Sequence, residues 1–125
     1  NFPKIGKLLK KAIKIDPKWN NGALQSAMMS YTASRMDISR EAMKDTVNGY
    51  FQKARDYSNS LDASIFVSYA ELIHKPDQNK IDFIKTLEKS LLINAGKSSN
   101  FRTSNIIAQR RAKWLLSNLE DYFIE

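Results

Sequence analysis

Large apolar residues recur along this chain at steps of three and four, which is the spacing of one face of an α-helix. No segment sustains the alternation and the β-branched enrichment of strands, so strands are not expected. Turn and cap signals such as Pro17, Ser39 and Pro76 divide the pattern. The helices predicted in this way cover residues 3–15, 18–35, 39–57, 62–75, 78–93 and 103–123. The pattern therefore predicts an all-α protein.

Three ten-residue segments of these helices resemble one another without gaps. They are LLKKAIKIDP (8–17), YFQKARDYSN (50–59) and TLEKSLLINA (86–95). Each places a lysine before a small residue, and these small residues lie 42 and then 36 positions apart. That spacing is close to the roughly 34-residue period of tetratricopeptide repeats. We therefore predict one domain over residues 1–125, a tetratricopeptide-like array of stacked antiparallel helix hairpins with about six helices.

The last predicted helix carries two separate faces. Its main apolar stripe consists of Ala108, Ala112, Leu115, Leu119 and Tyr122. A second face carries Ile107, Arg110, Trp114 and Asp121, with Trp114 one turn beyond Arg110 and so within reach of its guanidinium. One interpretation packs Trp114 against a neighbouring repeat, with the charged residues at its rim. The other makes this face a binding or subunit contact, because Trp and Arg are enriched at interface hot spots.

The first predicted helix concentrates positive charge. The whole chain has a net charge of +7, and six lysines lie in residues 1–20 against one aspartate. Such a helix suits an anionic membrane surface or a phosphate backbone, although a solvated lysine face on a bundle helix is the more ordinary interpretation.

The sequence offers little catalytic chemistry. It has no phosphate loop and no G-x-S-x-G or H-E-x-x-H motif, no cysteine, and a single histidine, His74. Neither a metal site nor a cofactor is predicted, and we interpret the chain as a non-enzyme. It contains no run of 18 apolar residues and no signal peptide, although it does not begin with Met.

The C-terminal third resembles the T-component family of tripartite ATP-independent periplasmic (TRAP) transporters. The resemblance rests on Asn105 to Leu116, NIIAQRRAKWLL, followed by Glu120 to Phe123, EDYF. The segment from Phe66 to Glu71, FVSYAE, resembles the helix before it. The resemblance implies a tetratricopeptide-like accessory protein that is exported and usually lipid-anchored. It also implies that this chain is the C-terminal part of a longer protein.

The same resemblance implies partners and site residues. The partners are the transporter's periplasmic solute-binding receptor, further copies in a ring-like homotrimer, and a small organic ligand; nucleic acid is not expected. The positions carried over are Asn105, Gln109, Arg110, Arg111 and Trp114, with Tyr69 and Glu71 behind them. For Arg111 two roles stay open: binding a carboxylate of a ligand or partner, or pairing with a buried acid such as Glu71. A generic peptide-binding repeat scaffold is the alternative function.

Overall fold

The computed structural model describes residues 2–124, and the side chains of residues 3–124. Over these residues every regular element is helical, which confirms the predicted all-α class. The α-helices are α1 (Phe2–Ile15), α2 (Ala23–Ala33), α3 (Arg40–Tyr57), α4 (Ala63–Tyr69), α5 (Lys80–Leu92), α6 (Arg102–Ser117) and α7 (Leu119–Tyr122). Two of the predicted starts have side-chain caps, because Ser39 Oγ accepts from Ala42 N at 3.1 Å and Asp62 Oδ1 accepts from Ser64 N at 3.0 Å.

These helices group into two compact units, unit 1 (Asn1–Asn59) and unit 2 (Ser60–Glu125). In unit 1, α1 packs against α2, and α2 packs against α3. In unit 2, α4, α5 and α6 each contact the other two. The prediction that residues 1–125 form one domain stays a prediction.

The predicted helix 18–35 is shorter than expected at its start. Residues Trp19–Gly22 form a short 3₁₀ turn, and α2 begins only at Ala23. Asn20, Asn21 and Gly22 all have positive φ, a conformation that Asn tolerates and Gly adopts freely. At Gly22 the turn also approaches α3 closely, since an added Cβ would lie 3.2 Å from Ala54 Cα.

The core of unit 2 is apolar and well enclosed. Its buried residues come from α4, the turn after it, α5, α6 and the residue that follows α7: Ala63, Val67, Ala70, Phe83, Leu87, Ala108, Ala112, Leu115 and Phe123. The rings of Phe83 and Phe123 meet edge to face with centroids 5.0 Å apart. This core holds the stripe side of α6 and leaves the opposite side of that helix in solvent.

Two local departures from regular α-helix shape unit 2. After α4 the chain continues as a π-helical turn, Ala70–His74, in which Lys75 N donates to Ala70 O at 2.9 Å. The predicted helix 103–123 is divided at Asn118, whose φ of −127° and ψ of 34° end α6 before α7 begins. The seventh helix arises from this break.

Candidate functional site

Arg111 joins α6 to the π-helical turn through Glu71. Both Arg111 Nε and Nη2 donate to Glu71 Oε1, at 3.2 and 2.6 Å. Donating these hydrogen bonds to Glu71 raises the pKa of Arg111, so the guanidinium stays charged at any ordinary pH. Of the two roles predicted for Arg111, the pairing with Glu71 is the one observed within the chain.

Trp114 stands at the centre of an exposed aromatic and cationic row. The Arg111 guanidinium carbon lies 5.0 Å from the indole centroid on one side. The Tyr122 ring also meets the indole edge to face, with centroids 6.2 Å apart, and Lys75 Nζ lies 4.4 Å from the Tyr122 centroid. The row fixes the orientation of an indole that is still 51% exposed.

The sequence predicted a different stacking partner for Trp114. Arg110, one full turn before Trp114, was expected on the indole, but Arg111, three residues before it, occupies that place. Residues three and four apart on a helix are both neighbours, so spacing alone does not choose between them. The ion pair with Glu71 selects Arg111 as the stacking partner, because it holds the Arg111 side chain over the Trp114 ring.

Arg110 remains available to a partner. It is exposed, and within residues 3–124 its guanidinium forms no hydrogen bond or ion pair. Ile107, one turn before it, is also exposed. We call the set Ile107, Arg110, Arg111, Trp114 and Tyr122 the Trp114 surface; its first four members are exposed and Tyr122 is partly buried. It combines a fixed indole, an aliphatic side chain and an unpaired cation.

Asn105 serves the fold. Its side chain is fully buried, its Oδ1 accepts from Ala63 N at 2.8 Å, and its Nδ2 donates to Leu61 O at 2.7 Å. These bonds tie the start of α6 to the start of α4. Asn105 therefore has no exposed polar atom to offer a ligand.

Gln109 also forms hydrogen bonds within unit 2. Its Nε2 donates to Ser90 O at 3.0 Å and to Ile93 O at 2.8 Å. These are carbonyls at the C-terminal end of α5, which the helix itself leaves without partners. Gln109 therefore caps α5, and the candidate binding set narrows to the Trp114 surface with Glu71 and Tyr69.

Tyr69 lies just before the π-helical turn and is partly buried. Its ring meets the His74 ring edge to face at 5.2 Å. Glu71, two residues later, turns to Arg111 instead. Tyr69 and Glu71 therefore contact different residues, His74 and Arg111. Their roles in binding stay predictions.

Sequence reasoning missed Lys75 and the second contact of Tyr122. Tyr122 packs against the core of unit 2, as its place in the main stripe predicts, but it is only partly buried and also contacts Trp114. Its position two turns beyond Trp114 was a usable signal, but the break at Asn118 alters the helical register between them. Lys75 gave no signal, because it lies on another element 47 residues away along the chain.

The described part of the chain holds no cluster of three or more His, Asp or Glu side chains suited to a metal ion. Within the same residues, no helix combines the length and apolar character needed to cross a bilayer. The Trp114 surface is a candidate for contact with another molecule because its exposed side chains offer stacking, apolar packing and positive charge.

Comparison with known proteins identifies the family of this chain. Residues 1–123 match the model of the TRAP transporter T-component family, and the chain belongs to this family. A protein of Treponema pallidum (strain Nichols), described only as uncharacterized, is 22% identical over 118 residues. The match covers 94% of this chain and 36% of that protein, so the chain spans about a third of the length of this curated relative.

Proposed function

We propose that this chain belongs to a periplasmic, lipid-anchored T-component that binds the solute receptor of a TRAP transporter through the Trp114 surface. The membership in the T-component family supports the transport role. The observation that carries the binding surface is the half-exposed indole of Trp114, fixed between Arg111 and Tyr122.

A fixed, exposed indole suits a protein interface. An exposed aromatic side chain that is already oriented loses little conformational entropy when a partner covers it. Interfaces are enriched in Trp, Tyr and Arg, and their strongest contributions come from such side chains. Trp114, Tyr122 and Arg110 are of these three types and lie on one exposed surface.

The charge of this surface favours an acidic partner segment. Arg111 is balanced by Glu71, but the cation of Arg110 has no partner among the described residues. A carboxylate on the receptor could accept two hydrogen bonds from the guanidinium of Arg110 while an apolar side chain covers Trp114 and Ile107. A ring-like homotrimer and a small organic ligand, both implied by the family, belong to the same proposal.

Binding to the receptor tests the proposal directly. The solute receptor of the source organism is immobilised, and its affinity is measured for the parent chain, Trp114→Ala and Arg110→Ala. We expect each substitution to weaken binding roughly tenfold or more, the range of an interface hot spot.

Matched controls come from elsewhere on the surface. Trp19 in unit 1 is 54% exposed, so Trp19→Ala removes an indole of equal exposure at another place. Lys89 on α5 is exposed, so Lys89→Ala removes one surface cation. Both controls should bind like the parent. Equal losses for Trp19→Ala and Trp114→Ala, or undiminished binding by a folded Trp114→Ala, would contradict the proposed surface.

A further inference from the structure

The segment Tyr122–Ile124 is anchored to unit 2 through the ring of Phe123. This ring is buried and contacts the ring of Phe83, with centroids 5.0 Å apart. Phe123 has extended φ and ψ angles of −120° and 130°, so α7 ends before it. The carbonyl of Tyr122 and the amide of Ile124 lie on either side of the buried residue and need partners outside the helix.

The side chain of Gln78 provides a partner for both groups. Its Nε2 donates to Tyr122 O at 2.9 Å, and its Oε1 accepts from Ile124 N at 3.1 Å. One amide thus pairs with the residues before and after Phe123, as the backbone of a neighbouring strand would. Together with the buried ring, these two bonds fix the orientation of the whole segment.

The backbone at Gln78 adopts a conformation that a residue other than glycine does not favour. Its φ is 57°, in the left-handed region, which costs free energy. Its Nε2 also donates to Lys75 O at 3.1 Å. Because tertiary contacts must offset the cost of the turn, the hydrogen bonds of this side chain help to hold the turn in place.

Gln78 is the last of three residues that support the Trp114 surface from the same segment. Glu71, Lys75 and Gln78 follow one another at steps of four and three. Glu71 pairs with Arg111, Lys75 Nζ lies over the Tyr122 ring, and Gln78 bonds to the Tyr122 carbonyl. The segment from the π-helical turn to Gln78 therefore contacts two members of the Trp114 surface.

We propose that Gln78 is a positioning residue of the Trp114 surface: its amide holds Tyr122 against the indole of Trp114 and so keeps the surface in the form that binds the solute receptor. The inference rests on the proposed function for the identity of that partner. Gln78 acts through Tyr122, whose ring meets the indole at 6.2 Å. Without the amide, the two rings would take up more orientations, and binding would have to order them at a cost in entropy.

The first measurement follows the surface without the receptor. Trp19→Phe leaves Trp114 as the single tryptophan of the chain. In that background, Gln78→Gly removes the amide and permits the positive φ, while Gln78→Met removes the amide and keeps the length of the side chain. We expect both to increase acrylamide quenching of Trp114 fluorescence. Hydrogen exchange of the Ile124 amide should become roughly fivefold faster, the effect of losing one hydrogen bond.

The second measurement is the affinity for the immobilised solute receptor. We expect Gln78→Gly and Gln78→Met to bind roughly three- to tenfold more weakly than the parent chain. Gln52 of α3 offers a matched control, because it is an exposed glutamine whose amide bonds at 3.5 Å to Asn48 and Arg55 of its own helix. Gln52→Met should match the parent in quenching, exchange and affinity.

The other outcomes overturn the proposal. Parent-like quenching and exchange in both Gln78 variants would show that the amide does not position the surface. A change in Gln78→Gly alone would assign the effect to the backbone of the turn. Unchanged affinity of the Gln78 variants, while Trp114→Ala still weakens binding, would remove the link to the receptor.

Failure of the proposed function has a different signature. If Trp114→Ala itself leaves receptor binding unchanged, the receptor contact assigned to the Trp114 surface is wrong. The quenching of Trp114 and the exchange of the Ile124 amide still decide, without the receptor, whether Gln78 positions this surface.

Discussion

Unit 1 and unit 2 are built from the same kind of helix but differ in core, charge and surface. The core of unit 1 relies on Met28, Met29 and Met43, while that of unit 2 contains Phe83, Leu87, Leu115 and Phe123. Residues 1–59 carry 11 Lys and Arg against 5 Asp and Glu, a net charge of +6. Residues 60–125 carry 9 against 8, a net charge of +1.

The two units also show that exposed apolar residues can serve two different purposes, packing or recognition. On α1 the exposed apolar residues Ile5, Leu8 and Ile15 are flexible aliphatic side chains, which suit packing against an apolar surface. On α6 the exposed residues surround an indole that its own neighbours hold in place, which suits recognition. The first kind of surface predicts an effect on stability and the second an effect on binding.

The largest expected effect concerns the two cores. Phe83→Ala removes a fully buried ring that contacts Phe123, and we expect it to cost about 3–5 kcal/mol of the free energy of unfolding. Met29→Leu, at an equally buried position in unit 1, should cost less than about 1.5 kcal/mol because methionine packing adapts. Urea unfolding measures both. A cost for Met29→Leu as large as that for Phe83→Ala would contradict the expected adaptability of the methionine packing in unit 1.

A second comparison uses one buried amide from each unit. Asn105→Ala leaves Ala63 N and Leu61 O without their bonds, so we expect a loss of about 2–4 kcal/mol. Gln25 has one bond, from Nε2 to Pro17 O at 2.7 Å, and its buried Oε1 has no partner in the described residues. Gln25→Leu should therefore cost about 1 kcal/mol or less. The same unfolding measurement applies, and an equal cost for the two variants would contradict the role given to Asn105.

The two tryptophans test the surfaces. Trp114→Ala and Trp19→Ala each remove a half-exposed indole, so each should change the free energy of unfolding by roughly 1 kcal/mol or less. Only Trp114→Ala should weaken binding to the solute receptor. A large loss of stability in Trp114→Ala would instead assign the indole to the packing of unit 2, and circular dichroism melts distinguish these outcomes.

The smallest effects are expected from two partly exposed ion pairs, one in each unit. Arg111→Gln breaks the pair with Glu71 and should cost about 1 kcal/mol or less. The pKa of Arg111 is raised, so its contribution should not diminish as the pH rises from about 7 to about 9.

The corresponding pair in unit 1 depends on pH at the acidic end. The hydrogen bond from Arg35 lowers the pKa of Asp37 below its ordinary value. Any stabilisation is therefore present above about pH 4 and is lost as the pH falls through the lowered pKa. Asp37→Asn should leave the thermal midpoint nearly unchanged near pH 7, because the carboxylate of Asp37 is largely exposed to solvent. A marked shift at pH 7 would show that Asp37 has a further role.

The sequence by itself determined the helical class and most helix positions, because hydrophobic periodicity and capping are local properties of the chain. Ser39 and Asp62 cap the starts of α3 and α4, as is typical of Ser and Asp at N-cap positions. The run from Asn105 to Phe123 also indicated the family, since it combines charged, aromatic and small residues in one order.

Tertiary structure decided what each residue of that run does. A helical pattern gives the direction of a side chain but not the atoms that lie there. The side-chain amide of Asn105 is buried because it forms hydrogen bonds with the backbone of Ala63 and Leu61, which belong to another segment. Arg111, and not Arg110, lies on Trp114 because Glu71 reaches it from the π-helical turn, 40 residues earlier in the chain. Such long-range contacts select one arrangement among several that local spacing allows equally.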